Sequence, residues 1–354
     1  MAKQYIAFLG FCIALCFSAA SANPPAQLLN CSQTSKIDPS ICGKKGLVVL
    51  PEATRRPWIQ AIDSAEKRIR LAAYKFSDPF IIDALKMAIA RGVKVSLVIE
   101  PAPFAHEKSD NVLSPLIALA INENMSISEG IRGYTQTHYK ALLVDDTLGI
   151  IGTGNFDAES FDGTQQGSPP CRDFAVMINH PEILQELEHI ITSDQMGVKP
   201  NQLKYLVLGP ERMRETLTDL IDKAKKSICI YQQFLQDEDL TAHLEKALKR
   251  GVEIAFIMPE YPFHSTLNPN FVNQRRLQKA GAKIFFHKLL YAHAKALIID
   301  AETPTESRVW IGSTNFYTPS LDNTRELGIT IQNIEITQEM QAAFQKDVLL
   351  SKAM

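Results

Sequence analysis

The chain has no Cys-x-x-Cys pair, no polybasic tail and, beyond its first two dozen residues, no apolar run long enough to cross a bilayer. The first absence leaves a zinc site of ordinary spacing without support. Basic residues come in short groups, such as KRIR from Lys67 and the pair Arg275 and Arg276, which read as charged faces rather than a nucleic-acid-binding arm. A formal net charge of −2 excludes a global basic field that would draw the protein to polyanions, and leaves only a local patch for that purpose. Tryptophan is scarce. Trp58 opens a helical pattern and Trp310 sits in a strand-like run, which suits core packing better than base stacking. What remains is ample: 354 residues, of which 45% are hydrophobic, are enough to bury a core in one large or two ordinary domains.

The first residues read as an address. Lys3 precedes the apolar run IAFLGFCIALCF, and SAASA places small residues at Ala20 and Ala22. This layout predicts a secretory signal over residues 1–22 and an exported, periplasmic or secreted, mature protein. Residues 23–44 form an N-terminal extension in which Cys31 and Cys42 flank a polar segment, and an export route admits a disulfide between them. Cys229, in the apolar run SICIYQQF, reads as a buried thiol.

The rest of the chain is a repeat. AIDSAEKRIRLAAYKF resembles LIDKAKKSICIYQQF, with Asp63 and Asp222 offset by 159 residues, and ALKMAIARGVKVSLVIEP resembles HLEKALKRGVEIAFIMPE. The pair His138 and His293 is offset by 155 and the pair Asn155 and Asn315 by 160, so the order of features is kept while loops change length. Two copies, 45–195 and 202–354, account for nearly everything after the extension. Each alternates helical periodicity with short β-branched runs, and its second helix ends at a glycine. The predicted fold is α/β, with two similar α-β-α halves, mostly parallel sheets and a pseudo-twofold relation between the halves.

One polar pattern recurs inside this repeat. His138-x-Lys140-x4-Asp145 is followed by Gly152, Thr153 and Asn155. His293-x-Lys295-x4-Asp300 is followed by Gly312, Ser313 and Asn315. Strand alternation puts His and Lys on one face, and leaves each Asp, at an odd interval, at the strand end. Burying two such sets for structure alone would strand cations without partners, which is costly. The doubled pattern, with its trailing Asn residues and the β-α alternation around it, resembles the phospholipase D superfamily over almost the whole chain after residue 44.

The resemblance implies one active site made from two half-sites, with His138 attacking phosphorus and His293 serving as acid, then base. An imidazole attacks when neutral and donates when cationic, so two of them suit in-line displacement through a phosphohistidine. Lys140 and Lys295 would neutralise the phosphoryl oxygens, with Asn155, Asn315, Thr153 and Ser313 binding the phosphate. Asp145 and Asp300 count among the catalytic residues, as carboxylates able to orient an imidazolium. This scheme calls for no metal and no cofactor.

The copies differ beyond the Asn. Glu326 stands eleven residues after Asn315, whereas the comparable acid, Asp173, stands eighteen after Asn155, across a loop rich in Gly and Pro. Both acids are expected to support the site. The preferred expectation is an exported phosphodiesterase that cleaves or exchanges a phospholipid head group, with peripheral membrane contact. The alternatives are a nuclease, for which nucleic acid is the substrate, and a cardiolipin synthase-like phosphatidyltransferase. These residues do not choose between water and an alcohol as acceptor.

Overall fold

The computed structural model describes residues 46–103, 122–163, 168–201 and 203–354. The expected signal, the extension and the Cys31–Cys42 pair lie outside the described residues, as does part of the loop after Asn155.

The first half supplies strands β1 (Leu47–Leu50), β2 (Arg68–Ala73), β3 (Lys94–Ile99), β4 (Met125–Ser128), β5 (Lys140–Val144), β6 (Leu148–Gly152) and β7 (Cys171–Ile178). The second supplies β8 (Leu206–Gly209), β9 (Ser227–Tyr231), β10 (Glu253–Met258), β11 (Lys283–His287), β12 (Tyr291–Ala292), β13 (Ala296–Ile299), β14 (Arg308–Gly312), β15 (Glu326–Ile331) and β16 (Ser351–Ala353). The sheets run β1-β7-β6-β5-β2-β3-β4 and β8-β15-β14-β13-β9-β10-β11-β16, so corresponding strands occupy corresponding places. The repeat read from the sequence is thus a repeat in space.

The expectation of mostly parallel sheets needs correction. Within the halves, only β2-β3-β4 and β9-β10-β11 are parallel; the pairings that join β5, β6, β7 and β1, or β13, β14, β15 and β8, are antiparallel. The cause is connection length. β5 and β6 are separated only by residues 145–147, whereas a parallel crossover needs about a dozen residues. The parallel pairs have such crossovers, the helices Pro79–Ala90 and Glu238–Lys249. Asp78 caps the first by accepting from the Phe80 and Ile81 amides, and Asp237 caps the second by accepting from Leu240. Arg55 and Arg214 hold the two caps at 3.0 and 2.8 Å. Each helix is followed by a left-handed glycine, Gly92 at φ 88° and Gly251 at φ 90°.

Strand alternation feeds separate cores. Ile69, Leu71, Leu142 and Val144 pack outward with Trp58, Ile62, Ile81 and Leu85. Leu217, Ile230, Leu244 and Trp310 form the matching outer layer of the second half. Ala72, Ala141 and Leu143 face the opposite side, into a central core that Phe174, Leu187, Tyr231, Ile311 and Phe344 share between the halves. Burying a Leu, Ile or Phe contributes about 1.5–3 kcal/mol, so this shared core fixes the docking of one half on the other. Backbone pairing completes the seam: β12 of the second half runs parallel to β7 of the first, and Thr137 bridges Arg325.

Candidate active site

That seam brings the two polar patterns together. His138 and His293 lie just before β5 and β13. The backbone amide of each donates across the seam, His138 to the Arg325 carbonyl at 2.9 Å and His293 to the Arg172 carbonyl at 3.2 Å. The side chains follow. His138 Nδ1 lies 3.0 Å from both carboxylate oxygens of Glu326, and His293 Nδ1 lies 3.1 and 3.0 Å from those of Asp173. Each imidazole is therefore held by a carboxylate of the other half. Both carboxylates are fully buried. With Nδ1–H donated to an ionised acid, the lone pair of each ring is at Nε2.

The lysines lie where strand alternation puts them. Lys140 Nζ donates to the His138 carbonyl, and Lys295 Nζ to the His293 carbonyl and, at 2.9 Å, to His293 Nε2. Both lysines are buried, at 2% and 0% exposure. The two half-sites differ here: His138 Nε2 has no hydrogen-bond partner among the described residues, and its ring meets the edge of Tyr74 at 4.6 Å.

Asp145 and Asp300 do not reach the histidines, and the expectation that they orient an imidazolium is corrected. The Asp145 carboxylate accepts from the backbone amides of Glu66, Lys67 and Arg68 at 2.6 to 2.8 Å, and Asp300 from those of Lys225, Lys226 and Ser227. Seven residue steps of extended chain at about 3.3 Å each put His and Asp about 23 Å apart, at opposite ends of the strand. Both Asp residues adopt left-handed backbone, at φ 49° and 50°, which turns each carboxylate onto the start of the neighbouring strand.

Thr153 and Ser313 are also reassigned, from phosphate binding to carboxylate support. Thr153 Oγ1 donates to Asp173 Oδ1 at 2.5 Å, and Ser313 Oγ donates to Glu326 Oε2. Ser320 adds a second donor to Glu326 at 2.5 Å. Gly154 is required for space, because a Cβ there would lie 2.8 Å from Asp173 Oδ2. Asn155 and Asn315 differ from these neighbours. Each keeps a buried amide oxygen without a partner among the described residues, which leaves one unused polar atom on each beside the motif.

Burial sets the electrostatics. It lowers the His138 pKa to about 4, and the Lys140 and Lys295 charges act in the same direction against Glu326. His293 is lowered as well, by burial against the pull of Asp173. Lys295 falls to about 8 through burial, offset in part by Asp173, and Lys140 falls well below its ordinary value through burial and the Lys295 charge. Burial opposes ionisation of Asp173 and Glu326, but the facing imidazoles, lysines and hydroxyls hold both below the usual carboxylate range. Neutral imidazoles, two ionised carboxylates and two buried lysines thus share one water-poor cluster at the seam, with no net charge while both lysines keep their protons.

Two residues that sequence reasoning missed brace this arrangement. Arg172, which precedes Asp173, pairs with Asp347 at 2.7 Å; Arg325, which precedes Glu326, pairs with Asp194 at 2.7 Å. Each arginine reaches into the opposite half, and Tyr231 and Tyr139 donate to the same aspartates at 2.8 Å. The signal was present as an Arg-acid dipeptide repeated at the same offset as the supporting acids. Cys171, Asp173 and His293 also place sulfur, oxygen and nitrogen donors within 4.8 Å of one another. A cation held there would break the Asp173–His293 contact and sit beside the Lys295 ammonium, so the set does not fit a metal that assists this site.

The chain matches the family model described as cardiolipin synthase, PLD-like domain, over residues 58–195 and 217–348. It is 24% identical over 337 residues to a cardiolipin synthase of Clostridium perfringens, covering 82% of this chain and 67% of that protein. It is 24% identical over 232 residues to cardiolipin synthase A of Pseudomonas aeruginosa, covering 60% of this chain and 46% of that protein. Among solved structures, the phosphatidylserine synthase of Haemophilus influenzae superposes with a TM-score of 0.67 at 12% identity, over 87% of each chain, a likeness of fold. With the family model matched in both halves, the chain belongs to the phospholipase D superfamily, as a two-half member with a cardiolipin synthase-type, PLD-like domain in each half.

Proposed function

We propose that the protein is a phosphatidyltransferase that moves the phosphatidyl group of a phospholipid to an alcohol acceptor, with cardiolipin as the product class. The relatives named cardiolipin synthase support transfer more than the phospholipid hydrolysis expected first from the sequence. The observation that carries the chemistry is the crossed pairing of His138 with Glu326 and His293 with Asp173.

His138 Nε2 attacks phosphorus and forms the P–N bond as the bond from phosphorus to the head-group oxygen breaks. The departing oxygen takes the proton held between Lys295 Nζ and His293 Nε2, 2.9 Å apart. Lys140 and Lys295 balance charge on the phosphoryl oxygens, with the Asn155 and Asn315 amides as neutral donors. An acceptor alcohol then gives its proton to His293 and attacks phosphorus, and the P–N bond breaks. Water in place of the alcohol gives hydrolysis. Export by the N-terminal segment remains part of this reading, and N-terminal sequencing of the mature protein checks it by finding Asn23 first.

The test is product analysis after incubation with phosphatidylglycerol, a phospholipid that also carries an acceptor alcohol. Cardiolipin is the expected product. Phosphatidic acid alone would assign the protein to the hydrolases, and cleavage of single-stranded DNA without any lipid product would move it to the nucleases.

A further inference from the structure

The surface next to the second half-site has an unusual composition. Residues 261–299 contain six Lys or Arg and no Asp or Glu, in a chain whose net charge is −2. Tyr261, Phe263, Leu267, Phe271, Val272 and Leu289 are all exposed, Leu267 at 76% and Val272 at 74%. Of the six cations, Lys295 belongs to the site, Arg276 pairs with Glu238 and Glu245, and Lys283 pairs with Glu253. Arg275, Lys279 and Lys288 stand exposed.

This face is continuous with the chemistry. The Phe263 amide donates to Tyr291 Oη at 2.8 Å, and the Tyr291 ring stacks near His293 at 6.5 Å. Phe234 lies 5.5 Å from Phe263 and 5.7 Å from Tyr317, two residues past Asn315. Phe234 and Phe263 lie on the loops that follow the carboxyl ends of β9 and β10, the end of the sheet at which His293 leads into β13. Phe263 holds a left-handed φ of 55°, rare for a bulky side chain. Val272, Arg275 and Lys279 recur at helical spacing on one helix and Lys288 adjoins Leu289; such a mixture of exposed apolar and cationic side chains fits an anionic lipid surface, whereas a polynucleotide offers Leu267 and Val272 nothing to enter.

We propose that this face seats the protein on an anionic phospholipid bilayer, with the apolar side chains in the headgroup-acyl boundary and Arg275, Lys279 and Lys288 against lipid phosphates. The inference rests on the phosphatidyltransferase reading for its purpose, namely presenting a lipid phosphate to the histidines without extracting the lipid.

The test is co-sedimentation of the full chain with phosphatidylcholine vesicles and with vesicles containing phosphatidylglycerol, alongside turnover of a short-chain, water-soluble phosphatidyl substrate. Wild type should prefer the anionic vesicles. Leu267→Ser with Val272→Ser should weaken binding at least about tenfold, and Lys279→Gln with Lys288→Gln about thirtyfold, with soluble-substrate turnover unchanged in both. Wild type that ignores vesicles, or variants that bind as wild type does, would overturn the proposal. Single-stranded DNA binding lost in the charge variant, with vesicle binding unmoved, would overturn it in favour of a polynucleotide. Soluble turnover without vesicle binding removes this inference alone, and vesicle binding without any lipid turnover upholds it and removes the proposed function.

Discussion

Glu326→Gln is the most informative single substitution. The carboxylate lies at the first residue of β15, fully buried, and accepts from His138 Nδ1, Ser313 Oγ and Ser320 Oγ. Glutamine keeps the shape but replaces one acceptor oxygen by a donor amide. With three donors converging, at least one meets another donor, or the imidazole changes tautomer. A hydrogen bond to a charged group contributes about 1.5–3 kcal/mol. At about 1.4 kcal/mol per factor of ten, that loss alone slows the reaction by about ten- to 150-fold. If the ring flips its proton to Nε2, the attacking lone pair is gone, and the equivalent Asp-to-Asn change in a serine-protease triad lowers kcat about ten-thousandfold. The expected fall in kcat is thus about tenfold to ten-thousandfold. KM should change little, because Glu326 does not contact the phosphate. Steady-state turnover of a soluble phosphatidyl substrate, with circular dichroism to confirm folding, measures it. A folded variant within threefold of wild type would refute the assignment of Glu326 as the residue that fixes the His138 tautomer.

Two further outcomes follow from the same geometry. Asp145→Ala removes the acceptor shared by three backbone amides and puts a Cβ residue without a polar side chain at φ 49°. It should destabilise the fold by about 3 kcal/mol, seen as a Tm lowered by several degrees, while turnover per folded molecule stays near wild type. Loss of turnover in a fully stable variant would restore Asp145 to the catalytic set. For pH, His138 must be neutral to attack, and its proton leaves at about 4, so kcat/KM should rise through that pH. Lys295 must keep its proton, which leaves at about 8, so kcat/KM should fall through that pH. An acid limb near the ordinary histidine value would show that burial does not set the His138 titration.

The repeat and its polar pattern were legible because they are local. Helix ends at Gly92 and Gly251, strand alternation at His138 and Lys140, and the doubled spacing need only neighbours in sequence. Sheet direction failed where the decisive quantity was connection length, as in the three residues that join β5 and β6. The role of Asp145 failed for a geometric reason: its identity suits an imidazole partner, but its distance along the strand forbids contact. Thr153 and Ser313 were misread because a hydroxyl beside a catalytic motif serves a phosphate or a carboxylate equally well in one dimension. The crossed pairing of each imidazole with the other half's acid depends on how the halves dock, and the central apolar core fixes that docking through residues that carry no chemical signature. Arg172 and Arg325 belong to the same class. Their partners, Asp347 and Asp194, lie on helices of the opposite half.

The claim that two imidazoles from different halves act on one phosphorus is tested most directly by trapping the covalent intermediate. Acid-free denaturing quench of a His293→Ala variant incubated with phospholipid, followed by peptide mass spectrometry, should locate the adduct on His138, with its turnover stalled. An adduct on another residue, or undiminished product formation without His293, would contradict the account.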